Sequence, residues 1–362
     1  MWEFFVQNNL NMEIEKLQSY DDVLRYLSEK KRVPHLLFGN GFSMAYNPGI
    51  FSYNALSSFI ERIEDPALSQ LFSRLNTKNF ELIMQQLDNF SEIADLFTTD
   101  KRLVSKIKEV SGKLKNSLID AVKELHPEYV FSVSEEESKA CSKFLNYYLD
   151  NGGNIFSTNY DLLLYWILMR NNPEKANDGF GRELENDLSG GFIPEEEREY
   201  SELRWGKNKA RQNIHYLHGT LPIFDTGIEI IKEEYNGTYL LDIIKERIDN
   251  KEYPVFVTAG NVQERLTHIR HNKYLAYCYE KLCNIEGSLV TFGFNFGEYD
   301  THIIDAVNIV AKQGKRAGNK LFSIYIGVYF DEDLKHILEL KNKGLFKCKV
   351  TPYNVKTAKI WR

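Results

Sequence analysis

The chain lacks most of the features that would name a chemistry at sight. Its four cysteines, Cys141, Cys278, Cys283 and Cys348, are scattered through 362 residues without a C-x-x-C pair. That spacing argues against a zinc ribbon or a disulfide framework, and reduced thiols in the cytoplasm are the expectation. No apolar run approaches the roughly 20 residues needed to span a bilayer, and residues 1–16 show no basic segment followed by a long apolar core. Neither a membrane span nor a signal peptide is expected. Positive charge is not in excess: 45 Lys and Arg stand against 51 Asp and Glu, a net charge of −6. Nucleic-acid binding driven by electrostatics is therefore disfavoured. There is no G-x-x-x-x-G-K-[ST], no G-x-S-x-G, no H-E-x-x-H and no G-x-G-x-x-G. Those absences argue in turn against a P-loop kinase, an esterase, a zinc metalloprotease and the common dinucleotide fingerprint. No internal repeat and no low-complexity segment is present.

What remains is a globular composition, 43% hydrophobic and 27% charged, long enough for one large domain or two ordinary ones. The stretch around which the rest is organised is Pro34 to Tyr46, PHLLFGNGFSMAY. A short apolar run, Leu36-Leu37-Phe38, precedes Gly39-Asn40-Gly41-Phe42-Ser43. Apolar runs bounded by glycine suit a buried parallel strand. Glycines after such a strand let the backbone turn tightly, and the following helix can offer free N–H groups to an anion such as a pyrophosphate. A plain glycine turn explains the same residues equally well.

Residues 13–30 read as a helix leading into this strand. Beyond it, residues 53–63 read as a helix with Ser52 as its N-cap, and the pattern stays helical to about residue 150. Phe80, Ile83, Met84, Leu87 and Phe90 share one helical face. Strand–helix alternation resumes with a strand at 154–157 and a helix at 162–169. Residues 172–212 read as a loop-rich insertion. Further strands are expected at 214–217, 254–258, 288–292, 321–326 and 346–351, separated by helices at 240–248, 272–283, 301–310 and 331–340. The pattern predicts an α/β fold: a Rossmann-like, doubly wound, mainly parallel sheet with an inserted all-helical subdomain. The expected parts are an N-terminal helical segment (1–33), a helical insertion (53–150), and a main domain built from 34–52 and 151–362.

Ligands of such sheets bind outside the carboxyl ends of the strands. Five strand ends here carry small, amide or hydroxyl residues: Gly39 to Ser43, Thr158-Asn159-Tyr160-Asp161, His218-Gly219-Thr220, Thr258 to Asn261, and Gly293 through Asn295 to Asp300. Thr158, Asn159 and Asp161 are each as well suited to capping a helix as to chemistry, and one residue can cap while its neighbour faces a ligand. A single histidine is ordinarily structural; His218 gains weight from its place at the ligand edge. His215 reads as a packing residue, and His302 as one that caps or packs. His268 and His271 read as solvated or ligand-adjacent on a loop or helix start.

Taken together, these motifs resemble the sirtuin-like superfamily. Gly39-Asn40-Gly41-Phe42-Ser43 is similar to its glycine-rich nucleotide loop, Thr158-Asn159-Tyr160-Asp161 to its T-N-Y-D motif, Leu217-His218-Gly219 to its catalytic L-H-G, and Gly293-Phe294-Asn295-Phe296 to its late adenosine-contacting motif. The resemblance covers roughly 34–52 and 151–330. More narrowly, GNGFSMAYNP and the TAGN…ERLTHI region resemble a bacterial branch whose relatives serve as NAD-depleting effectors in anti-phage defence, including the sirtuin-like subunit of Kongming-type systems. The resemblance implies NAD as substrate and hydrolysis to nicotinamide and ADP-ribose. Asn159 and His218 would be catalytic, with Asp161 orienting the loop or acting directly. Gly39, Asn40, Gly41, Phe42, Ser43, Thr158, Tyr160, Thr258, Asn261, Gly293, Asn295 and Asp300 would bind the dinucleotide. A regulatory protein partner or a homo-oligomer is expected to control it. Two departures stand out. The four-cysteine zinc module of deacetylase sirtuins is missing, which counts against deacetylation and leaves no metal implied. The loop reads G-N-G where G-A-G is usual. A non-catalytic NAD or ADP-ribose sensor, or a scaffold subunit, would use the same loops and tolerate loss of His218.

Overall fold

The computed structural model describes residues 13–48, 66–74, 80–98, 101–124, 130–171, 174–185, 194–235, 239–250, 252–257, 262–297, 300–312 and 321–362. Everything structural below refers to these residues.

A single turn, Ile14–Lys16, precedes α1 (Tyr20–Glu29). The one helix expected over 13–30 is thus divided. Ser19 takes the N-cap position and forms a reciprocal capping box with Asp22, so the helix starts there. β1 (Pro34–Phe38) follows, buried along its whole length, with Pro34 at the first position, where a missing N–H is tolerated. The chain continues through α2 (Gly41–Tyr46), α3 (Pro66–Arg74), α4 (Phe80–Phe97), α5 (Lys101–Glu124) and α6 (Glu135–Asp150). Ser134 and Glu137 form a second capping box at α6, and three glutamates in its first turn complement the helix dipole. On α4, Ile83 and Leu87 are buried, but Phe90 is exposed although it was expected on the same face. The helix expected over 53–63 and its cap Ser52 lie outside the described residues.

β2 (Ile155–Ser157) and α7 (Leu163–Asn171) resume the alternation. Residues 172–212 then depart from expectation. Rather than loop alone, they contain β3 (Phe180–Gly181) and β4 (Leu203–Trp205). β5 (Ile214–Tyr216) leads almost directly into β6 (Gly219–Asp225), then β7 (Ile230–Lys232), α8 (Leu240–Asp249) and β8 (Pro254–Phe256). β3, β4, β6, β7 and β8 form a separate antiparallel sheet in the order β3-β4-β7-β6-β8. The strand expected at 254–258 is therefore real but belongs to this second sheet. Its partner β6 carries no period-two pattern, since its first six residues are all buried. Arg247 of α8 ties this region together through Glu202, Glu233 and Glu252 at 2.5–2.6 Å.

α9 (Val262–His271) and α10 (Lys273–Leu282) come next, with Asn272 capping the latter. His268 and His271 thus sit on a helix. β9 (Gly287–Phe292), α11 (Thr301–Lys312), β10 (Leu321–Val328), α12 (Asp331–Asn342) and β11 (Lys349–Asn354) complete the chain. The main sheet has six strands, all parallel, in the order β11-β10-β9-β1-β2-β5. The fold is α/β. Because the strands run the same way, the loops leaving β1, β2, β5 and β9 emerge at one edge. No described helix is long and apolar enough to cross a membrane.

Among the described residues four histidines are buried, His35, His215, His218 and His302. Burial pushes His35 down to about 4 and His215 down to about 3, and holds His218 well below the usual range. The unfolded chain takes up protons near pH 6.5 that the folded chain refuses, at a cost of about 1.4 kcal/mol per group and pH unit. Stability is therefore intact above about pH 6.5 and erodes as pH falls from there toward about 4. The urea midpoint should drop between about pH 7 and about pH 5; an unchanged midpoint would contradict this burial.

Candidate active site

The loop after β1 is fixed by the loop after β9. Gly39 N–H donates to the Phe292 carbonyl (3.2 Å) and Gly41 N–H to the Gly293 carbonyl (3.0 Å). A Cβ on Gly41 would stand 2.5 Å from the Gly293 α-carbon, and one on Gly293 would stand 2.4 Å from that of Gly41. Gly293 also has φ +58°, a left-handed value that favours glycine. These glycines are required by backbone touching backbone. α2 then starts without a side-chain cap from Asn40. Phe42 N–H is taken by the Gly39 carbonyl (2.9 Å). The Phe42 ring lies in the core, 4.3 Å from Phe38 and 5.1 Å from Trp361, whose indole N–H donates to the Phe42 carbonyl (3.0 Å). The amides of Gly41 and Phe42 are thus already engaged, unlike the open anion cradle anticipated from sequence.

Ser43 is where the first two loops meet. The Asn159 carboxamide Nδ2 donates to Ser43 Oγ (2.8 Å), and Ser43 Oγ donates to Asp161 Oδ2 (2.5 Å). Asp161 Oδ1 also accepts from Leu163 N–H at the start of α7 (2.9 Å). Capping and polar convergence thus coexist in one carboxylate. Enclosure of the Asp161 carboxyl raises it above the usual carboxylate range, while the Ser43 hydroxyl and Leu163 amide pull it back. Thr158 anchors the loop, its N–H and hydroxyl both donating to the Phe38 carbonyl (3.1 and 3.3 Å).

His218 arrives from the neighbouring strand. Leu217 N–H donates to the Ser157 carbonyl (2.8 Å), and Gly219, at φ +80°, turns the chain into the second sheet. That sheet holds the T-N-Y-D loop: Thr220 Oγ1 donates to the carbonyls of Tyr160 (2.9 Å) and Asp161 (3.2 Å). The Tyr160 hydroxyl donates to the Val257 carbonyl, Val257 N–H to the His218 carbonyl (2.8 Å), and the Tyr160 and His218 rings lie 6.5 Å apart. His218 Nε2 faces His302 Nε2 at 2.9 Å, with both residues buried. Burial lowers His218 first, and His302 and Arg265 add to it. The Tyr279 hydroxyl donates to the His302 carbonyl (2.9 Å). Asp300 pairs with Arg265 at 3.2 Å; burial raises its carboxyl and the guanidinium opposes that. One ligand atom from each of His218, Asp300 and His302 falls within 4.8 Å of the others, a set able to hold a cation.

Among the expected binding residues, Asn295 is exposed beside the buried Phe294 and Phe296, and Phe296 adopts φ +49°, a strained value for a bulky residue. Thr258 and Asn261 lie outside the described residues. Sequence reading did not anticipate the places of His302 and Arg265. The available signal was Asp300-x-His302 directly after the glycine-flanked stretch that ends β9.

Across residues 36–361 the chain matches a family described as Domain of unknown function (DUF4917). It belongs to that family. The match begins within β1 and runs to Trp361, and so takes in every loop of this site. No curated protein matches the chain.

If contact between Gly41 and Gly293 sets the glycines, Gly41→Ala should cost more than about 2 kcal/mol in urea denaturation. Gly112→Ala in α5, where a Cβ meets nothing within 4 Å, should instead gain up to about 1 kcal/mol. Equal effects at the two positions would contradict the contact. Ser43→Ala, which strips Asn159 of its acceptor and Asp161 of its donor, should cost about 1–3 kcal/mol.

Proposed function

We propose that this protein is an NAD glycohydrolase, cleaving NAD to nicotinamide and ADP-ribose. The observation that carries the reading is the Asn159–Ser43–Asp161 chain, which joins the loops after two adjacent parallel strands at their carboxyl ends. It stands beside a point where strand order reverses. Counted along the chain, the main sheet runs third-second-first-fourth-fifth-sixth, the order of a Rossmann-like doubly wound sheet. Dinucleotides bind at that reversal, between the first and fourth strands, which here are β1 and β9. The sirtuin-like motifs occupy these same loops.

The bond broken is the glycosidic C–N bond to nicotinamide. Nicotinamide departs neutral with the bonding electrons, so little acid catalysis is required. Water adds to C1 of the ribose and loses one proton. An oxocarbenium-like state lies between, as in other glycoside cleavages. Asn159 offers a carboxamide to a ribose hydroxyl or to the water. His218 accepts the water's proton, and its lowered pKa keeps it unprotonated for that task at neutral pH. Only one of the two facing Nε2 atoms can carry the hydrogen between them. When His218 donates through Nε2, its Nδ1 keeps a lone pair and can serve as base. Asp161 orients Ser43 and, when ionised, adds negative potential near the developing cation.

Regulation by a protein partner, in a defence effector that depletes NAD, fits the same resemblance, since free-running NAD hydrolysis harms the producing cell. The test is release of nicotinamide and ADP-ribose from NAD, with and without candidate activators. Asn159→Ala and His218→Ala should each lower turnover at least about 100-fold while leaving the circular dichroism spectrum unchanged. Full turnover in both folded variants would refute the roles. NAD binding without product release would favour a sensor instead. The acid limb of kcat/KM should lie below the range of an ordinary histidine, in line with the burial that lowers His218.

A further inference from the structure

We propose that His218, His302 and Asp300 form a binding site for one divalent transition-metal cation. The three side chains come from two places that sequence separates widely: the end of β5, and the segment that opens α11. Both histidines are almost fully buried, at 3% and 0% exposure, and their Nε2 atoms point at each other across 2.9 Å. The Asp300 carboxylate completes a group whose ligand atoms all lie within 4.8 Å. Two imidazoles and a carboxylate match the donor set of three-ligand zinc sites, in which a fourth position stays open to water.

The geometry is close to what an ion needs. Two nitrogens bound at about 2.05 Å with a tetrahedral angle stand about 3.3 Å apart, so the imidazoles need part by only about 0.4 Å. Without an ion, the facing Nε2 atoms share a single proton; with one, both lone pairs are used. Asp300 is less buried than the histidines, its side chain 23% exposed, which gives the ion a route from solvent. Arg265 Nη1 donates to Oδ1 of Asp300, orienting the carboxylate as outer-shell partners commonly do. The Tyr279 hydroxyl on the His302 carbonyl holds that residue's backbone from the other side.

Chemistry selects the cation class. Imidazole-rich sites favour zinc, cobalt or nickel over magnesium or calcium, which seek oxygen. The Arg265 charge offsets that of Asp300, which weakens the hold on a cation. This site stands independently of the hydrolase reading. An ion on His218 Nε2 places a hydrogen on Nδ1 and withdraws the base, so the same ion would inhibit hydrolysis if that reading holds. Inhibition plays no part in the test.

The full chain, stripped with chelator and checked by circular dichroism, is titrated calorimetrically with zinc chloride and, separately, with cobalt chloride, whose visible spectrum reports coordination. One equivalent should bind. Asp300→Asn, nearly isosteric, and His302→Ala should each weaken binding at least about 10-fold. His271→Ala, on the exposed end of α9, should leave binding unchanged. Absence of saturable binding of either ion overturns the proposal, as does wild-type affinity in both Asp300→Asn and His302→Ala.

Discussion

The site rests on one close approach, that of the Gly41 and Gly293 backbones. β1 is paired on both sides by parallel strands, so the chain leaving it has little freedom. Its loop lies directly on the loop leaving β9, close enough that neither position has room for a side chain. That contact sets where α2 begins and hence where Ser43 points. Ser43 in turn is the atom on which Asn159 and Asp161 agree. Closeness in the sheet becomes closeness of polar groups only because two residues gave up their side chains.

How much of this could be read from residues alone follows from what each signal measures. Leu36-Leu37-Phe38 declared a buried strand because burial on both faces leaves an unbroken apolar run. The start of α6 is set just as locally, by the Ser134–Glu137 capping box that the structure shows. The second sheet was hidden for the opposite reason. β6 pairs with β7 and β8 through backbone groups, and its side chains carry no alternation to announce it. The glycines were recognised as a turn, but their cause was the partner loop some 250 residues away, which no local spacing encodes. His302 is similar. Two residues from Asp300 at a helix start, it looks like a cap; only the fold brings His218 to it. The helical face through Phe90 shows a further limit, since periodicity names a face without saying whether a partner covers all of it.

The antiparallel sheet does more than enlarge the molecule. His218 lies on the two-residue link between β5 and β6, so its position is held by both sheets. Thr220, one residue into the second sheet, bonds back to the carbonyls of Tyr160 and Asp161. Tyr160 reaches forward to Val257, beyond β8, and Val257 returns to His218. These bonds close a circuit through the T-N-Y-D loop, the histidine and the second sheet. A shift of that sheet would move His218 and the Tyr160 carbonyl together.

Electrostatics at this edge is arranged by cancellation rather than by net charge. Burial raises Asp161 and lowers His218, so both lean toward their neutral forms. The Arg265 guanidinium is spent on Asp300. Under the proposed hydrolase reading, so balanced a region would select a dinucleotide by hydrogen-bond geometry and fit, which act at contact and are little screened by salt. In such surroundings a small number of donors and acceptors, correctly aimed, outweigh formal charge, because enclosure from water strengthens each of them. The Asn159–Ser43–Asp161 chain supplies groups of that kind: a carboxamide donating to a hydroxyl, which donates to a carboxyl.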